Sequence, residues 1–302
     1  MTQPGGYPPG GPPMPRCVRH PDRPTALTCV RCGRPACPEC LREAAVGYQC
    51  VDCVRSGART IRQPRTVAGA SMSTGFTPVI TYALIAINVV VFAVTALQAG
   101  SPVDNDRGSA LFRAWALWPP AVADGQLVRL VGSGFLHYGP LHLAVNMFAL
   151  WVVGRDVERV LGRSRYLAVY FISILGGSAA VMTFELNAVT AGASGAIFGL
   201  FGALGIVLWR LRQNPGPIVA IIVINVVISV ATPGISLWGH LGGLAAGTAA
   251  ALGLLFVPGW LHPGGSPASQ RAIGWASLGA VALLAVIVIV IRIATIRENL
   301  GL

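Results

Sequence analysis

Lysine is missing from this chain: all 22 basic residues among its 302 are arginine. Charge of either sign is scarce, at 11% of residues against 54% hydrophobic, which excludes an ordinary soluble globular domain. No cysteine lies beyond Cys53, so thiol chemistry is confined to the N-terminal segment. No His-Glu-x-x-His pattern occurs, which removes a helix-borne metalloprotease. No Asp or Glu falls in the middle of a long apolar stretch, which argues against an intramembrane aspartyl protease. A transporter is disfavoured too, because ionisable residues line no visible pathway. The opening run Met-Thr-Gln-Pro-Gly-Gly has no apolar core, so no secretory signal is expected.

What the chain has instead is hydrophobicity, with a mean hydropathy of +0.65, gathered into seven segments. They fall at about 79–98, 141–153, 166–184, 193–209, 217–231, 236–257 and 272–293. A span needs about 20 residues, so the second and fifth are expected to borrow from their flanks. The fold class is an all-α polytopic membrane protein. Ten of the arginines precede residue 66, and further arginines sit in the loops at 154–165, 210–212 and 271. The intervening loops at 185–192 and 231–236 have none, which places the N-terminus in the cytoplasm of a multi-pass plasma-membrane protein. That basic flank reads as topology, and nucleic-acid binding is the weaker reading. In the first external loop, 99–140, Phe112, Trp115 and Trp118 suit a segment lying in the membrane interface.

The cysteines fall into pairs with two residues between: Cys17/His20, Cys29/Cys32, Cys37/Cys40 and Cys50/Cys53. Eight ligands suffice for two tetrahedral zinc ions, with no open position, so both ions would be structural. Either interleaved pairing (Cys17, His20, Cys37 and Cys40 on one ion) or sequential pairing satisfies the count. A module this short, with little apolar content, needs metal to fold. Its expected role is to dock a cytoplasmic protein partner or to regulate the rest of the chain. The expected domains are a disordered Pro/Gly-rich tail (1–15), a zinc-binding domain (16–54), a polar linker (55–77), a membrane core (78–258) and a C-terminal region with the seventh span (259–302).

Four polar residues stand out in the spans. With the N-terminus inside, the second, fourth and sixth spans all run inward from the outer side. His142 and Asn146 open the second, Ser194 the fourth and His240 the sixth, so all four lie at similar depth near the outer leaflet. His142 and Asn146, four apart, share a helix face. Gly192, Gly195, Gly199 and Gly202 on the fourth span, and Gly239, Gly243 and Gly247 on the sixth, permit close helix approach. A serine hydroxyl needs a neighbouring base to become a nucleophile, and His240 can supply it. With no carboxylate available, a Ser–His dyad is expected. The Ser194 backbone N–H, His142 and Asn146 are candidate oxyanion donors. Asn225 in the fifth span reads as structural. A metal site built from His137, His142 and His240 is a competing arrangement, indifferent to Ser194.

These residues resemble the rhomboid family of intramembrane serine proteases. The motifs are His142-Leu-Ala-Val-Asn146, Gly192-Ala-Ser194-Gly195 and Gly239-His240-Leu-Gly-Gly243. The resemblance implies a six-span core over about 79–257, with a seventh span appended. It also implies Ser194 as nucleophile, His240 as base, and His142 and Asn146 as oxyanion donors. Phe198 matches the aromatic position that stacks on the base, and Glu158 a structural glutamate. No cofactor is implied for catalysis; substrates would be transmembrane proteins in the lipid bilayer, cut near their outer end through an active site open to the extracytoplasmic side. The fifth span and the loop with Trp238 could gate substrate access. The first-loop stretch Val128-Arg129 to Phe135-Leu136-His137 lacks the family's Trp and Thr. The cysteine module resembles a B-box-type zinc finger. The contrasting function is a non-catalytic membrane scaffold or chaperone that binds transmembrane helices and recruits partners through that finger.

Overall fold

The computed structural model of the chain describes residues 13–60, 65–70 and 75–301, so most of the expected N-terminal tail lies outside the described residues. The chain divides into two compact units after Pro64. In the first, a two-stranded antiparallel hairpin pairs β1 (Leu41–Glu43) with β2 (Tyr48–Cys50), matching Leu41 to Cys50 and Glu43 to Tyr48. Helix α1 (Val51–Thr60) follows directly. The polar linker expected from residue 55 therefore begins as helix. Asp52 in its first turn and Arg59 in its last both suit the helix dipole. The buried apolar core of this unit is Cys17, Cys29, Ala36, Cys37, Cys40, Leu41 and Cys50, so most of its core residues are cysteines.

The second unit is helical. Each of the seven apolar segments forms a helix: α2 (Val79–Ala99), α3 (Gly139–Leu161), α4 (Arg163–Phe184), α5 (Ser194–Arg210), α6 (Gly216–Ala231), α7 (Leu237–Leu255) and α8 (Pro267–Leu300). By length and composition, α2, α4 and α8 can each cross a membrane alone. Helix α3 could make a fourth crossing if joined to the short stretch Arg129–Phe135, from which it bends by 91°. The arginine-rich stretch 154–165, read from the sequence as a loop, is helical except at Gly162, whose φ of +79° breaks α3 from α4. Apolar count alone ended those helices too early, because helices propagate past the last hydrophobic residue when their polar ends reach water.

The centre of the bundle is α7, packed against α5 and α4. Glycine makes this possible. A Cβ at Gly243 would strike the Gly195 carbonyl, and one at Gly247 would strike the Gly199 backbone. Helix α3 is tied to α2 by Glu158, fully buried at the α2 N-terminus. Its carboxylate accepts from the Ile80 N–H (3.1 Å), the Thr81 N–H (2.8 Å) and the Thr81 hydroxyl (2.8 Å). An anion at a helix start satisfies donors that have no partner within the helix.

In the stretch 99–140, for which the sequence suggested an interfacial segment, Trp118 is exposed and Trp115 half-buried, whereas Phe112 packs inward. Phe112 is buried, its ring 5.0 Å from that of Tyr138. Arg129 is also buried; its Nη1 donates to the Ala116 carbonyl (2.6 Å) and its Nε to Gln126 Oε1 (2.8 Å). Gly132 lies under the Trp115 ring, where a Cβ would come within 3.0 Å. Trp115 thus fills space beside the stretch that lacks the family's Trp and Thr. Arg292 on α8 donates to the Met182 carbonyl (3.2 Å) in the last turn of α4. A cation at that end suits the helix dipole.

Candidate active site

Ser194 is the first residue of α5, and the preceding Gly192 has φ +143°. His240 lies in the first turn of α7, whose N-terminus is capped by the Ser236 hydroxyl accepting from the Gly239 N–H (2.9 Å). The close α5–α7 contact brings His240 Nε2 within 2.7 Å of Ser194 Oγ. The Phe198 ring, one turn along α5, is stacked on the His240 ring with centroids 4.2 Å apart and planes at 10°. The sequence-predicted serine, histidine and aromatic residue therefore meet.

His142 stands on the other side of the serine. Its Nδ1 accepts from the Tyr138 backbone N–H (3.2 Å), so the ring proton sits on Nε2. A Cβ built on Gly192 would lie 3.1 Å from that Nε2 and 3.4 Å from Ser194 Oγ. The space left by glycine is thus bordered by the Ser194 hydroxyl and by a ring N–H donor, an arrangement that could hold an oxyanion. Asn146 is buried one turn further, and its Nδ2 donates to the His142 carbonyl (2.9 Å), leaving one amide hydrogen for other use. As the first residue of α5, Ser194 also carries a backbone N–H without an acceptor inside the helix.

These groups line a cavity of about 1100 Å³ that also reaches Val145, Phe148 and Val152 on α3 and Ile221, Asn225 and Ser229 on α6. Both helices present exposed apolar side chains, among them Leu141, Val145 and Phe148 on α3 and Val223 and Val227 on α6. Nearby, Trp238 stacks on Phe184 at 4.0 Å, and the Ser236 hydroxyl donates to Glu185 Oε2 (2.5 Å). One contact was missed from sequence: Ser229 Oγ lies 2.8 Å from His240 Nδ1. The signal was available, because Asn225 and Ser229 stand four apart in an otherwise apolar helix. Among the described residues, no metal-ligand group includes His137, His142 or His240.

The metal-ligand groups lie in the first unit. Cys17, His20, Cys37 and Cys40 form one, and Cys29, Cys32, Cys50 and Cys53 the other, with ligand atoms within 4.8 Å of one another in each. The grouping is interleaved, the first of the two pairings open to the sequence. Around a tetrahedral zinc, thiolates stand about 3.8 Å apart, and a thiolate and an imidazole nitrogen about 3.6 Å. Cys32 and Cys50 Sγ are 3.8 Å apart, and His20 Nδ1 is 3.3 Å from both Cys37 and Cys40 Sγ. Burial pushes the Cys17 and Cys29 thiols up, yet backbone N–H groups outweigh it and bring each down to about 6. Burial and the neighbouring thiols push Cys40 up to about 11; the Cys32 side chain first, then burial, pushes Cys53 up to about 12. Each cluster therefore accepts some thiolates and resists the last unless a cation joins them. Both fit a tetrahedral divalent metal such as zinc.

Comparison with known proteins places this geometry. The Rhomboid domain matches residues 124–256, which include all of the motif residues above. Rhomboid protease GluP of Bacillus subtilis is 39% identical over 184 residues, 59% of this chain and 35% of GluP. RHOMBOID-like protein 4 of Arabidopsis thaliana is 32% identical over 150 residues, 47% of this chain and 38% of that protein. The rhomboid-family protein YdcA of Bacillus subtilis is 34% identical over 179 residues, which cover 85% of it. The chain belongs to the rhomboid family. The chain spans only about a third of the length of GluP or RHOMBOID-like protein 4.

Proposed function

We propose that this rhomboid is an intramembrane serine endopeptidase that cuts transmembrane proteins through a Ser194–His240 dyad. The observation that carries this reading is the 2.7 Å approach of Ser194 Oγ to His240 Nε2 beside the donor-lined space at Gly192. Ser194 Oγ attacks the scissile carbonyl carbon while its proton passes to His240 Nε2. The oxyanion takes hydrogen bonds from His142 Nε2–H, the free Asn146 amide hydrogen and the Ser194 backbone N–H. As the tetrahedral intermediate collapses, His240 gives the proton to the leaving amine, and water then releases the acyl group by the same path. Phe198 holds the imidazole plane. The apolar, exposed faces of α3 and α6 beside the cavity favour a substrate helix arriving from the bilayer.

We assign seven spans to α2–α8, with the N-terminus cytoplasmic in the plasma membrane and the active site opening outward. The domains are the tail (1–15), a metal-binding unit (16–54) whose closing helix runs into the linker (55–77), the protease core (78–258) and the appended span (259–302). The N-terminal unit holds two structural zinc ions in a B-box-like arrangement and docks a cytoplasmic protein.

The test is cleavage of a single-span substrate by the purified protein in detergent. Wild type should cut, while Ser194→Ala and His240→Ala should not. Cleavage by Ser194→Ala at the wild-type rate overturns the mechanism.

A further inference from the structure

We infer that Ser229 is the positioning residue of the base, fixing the tautomer of His240 through a hydrogen-bond chain that ends on the backbone of α6. This rests on the reading of Ser194 and His240 as nucleophile and base.

Helix α6 is apolar apart from Asn225 and Ser229, and of its side chains only Ser229 is buried. In a helix whose apolar side chains face lipid, the polar residue turns inward, and there its hydroxyl needs a partner. It has two. A serine hydroxyl carries one proton, and Ser229 gives it to the Asn225 carbonyl one turn back, at 2.7 Å. Towards His240 Nδ1, at 2.8 Å, its oxygen offers only a lone pair. Nδ1 must then be the protonated nitrogen, which leaves Nε2 bare. A bare Nε2 can only accept, and the group before it is the Ser194 hydroxyl at 2.7 Å.

The order is therefore Ser194 O–H to Nε2, Nδ1–H to Ser229 Oγ, and Ser229 O–H to the Asn225 carbonyl. A general base needs that tautomer, which in a Ser-His-Asp triad is held by a carboxylate. A carboxylate is costly at membrane depth, whereas a neutral hydroxyl anchored on a helix carbonyl orients the ring without a second charge. During attack the Ser194 proton moves to Nε2, and the bond from the now cationic ring to Ser229 strengthens. Nδ1 and Ser229 keep their own protons throughout.

The experiment uses the full chain in detergent, with Ser229→Ala, Ser229→Thr and Ser229→Cys beside wild type. A hydrogen bond to a charged group is worth roughly a 10- to 100-fold rate effect. Ser229→Ala should lose about that much kcat with KM within about twofold of wild type. Threonine can make the same back-bond to the i−4 carbonyl, so Ser229→Thr should stay within about threefold of wild type. Where the alanine variant fails to fold, Ser229→Cys carries the test, since its thiol keeps the volume but hydrogen-bonds weakly. In parallel, nitrogen-15 spectra of labelled histidine, with His240 assigned from His240→Ala, should show a single Nδ1–H tautomer in wild type and a mixture in Ser229→Ala. The inference is overturned if the alanine variant turns over within about twofold of wild type, if threonine is as impaired as alanine, or if the tautomer is unchanged. The spectra need no cleavage, so failure of the protease reading would register separately, as activity in Ser194→Ala.

Discussion

Gly192→Ala tests the oxyanion geometry most directly. At φ +143° the backbone occupies a region that residues with a Cβ rarely adopt, at a cost of about 1–3 kcal/mol. The new methyl would lie 3.0 Å from His142 Cε1, 3.1 Å from its Nε2 and 3.4 Å from Ser194 Oγ. It would thus fill the space in which the carbonyl oxygen becomes an anion, and turn the His142 donor away. Loss of one such donor elsewhere costs about 10²–10³ in kcat. We expect Gly192→Ala to lose at least about 10²-fold in kcat on a single-span substrate. Its unfolding temperature should fall by about 2–12 °C, consistent with the strain. Reaction of Ser194 with a small fluorophosphonate should slow as well, because the phosphonyl oxygen needs the same space. Turnover within about threefold of wild type, in protein shown to be folded, would refute the assignment.

Two further outcomes follow from other parts of the molecule. Glu158→Gln replaces a carboxylate accepting three hydrogen bonds with an amide that turns a donor towards the α2 N-terminus. Thermal unfolding should show a loss of about 1–3 kcal/mol, while kcat of the folded fraction stays near wild type; a selective loss of kcat would contradict a structural role. Metal removal should strip two zinc ions per chain and unfold the first unit, read by a colorimetric zinc assay and amide spectra, without touching the Ser194–His240 pair. Because backbone N–H groups bring the Cys17 and Cys29 thiols down from 9.0 to about 6, their contribution is full only above about 9, partly present at neutral pH, and lost as pH falls through about 6. Metal release should accordingly accelerate on acidification, and a chelator-resistant fold would count against the zinc assignment.

Much of this protein was written along the chain. Scarce charge and seven apolar segments announced a helical membrane protein, since a lipid-facing helix can be recognised by its composition. Ser194, His240, His142 and Asn146, which meet at one cavity, stood out in the sequence as polar groups in apolar segments, whereas Phe198 was named only through the resemblance to the rhomboid family. The Cys and His residues of the two clusters were legible as pairs with two intervening residues.

Other features needed the fold. The interleaved metal grouping depends on which turns of the first unit meet, which pair spacing does not encode. The stretch 154–165 is helical because polar residues prolong helices whose apolar stripe has ended. Ser229 is the sharpest case: the Asn225/Ser229 spacing marks a polar pair on α6, but only the α6–α7 packing sets the serine oxygen against His240 Nδ1. Likewise Gly192 is one glycine among 37 until its neighbours are known. The sequence determined which groups could do chemistry and on which helices they ride. Tertiary structure decided which lone pair meets which proton, because angstrom-scale contacts between helices distant in the chain leave no local periodicity.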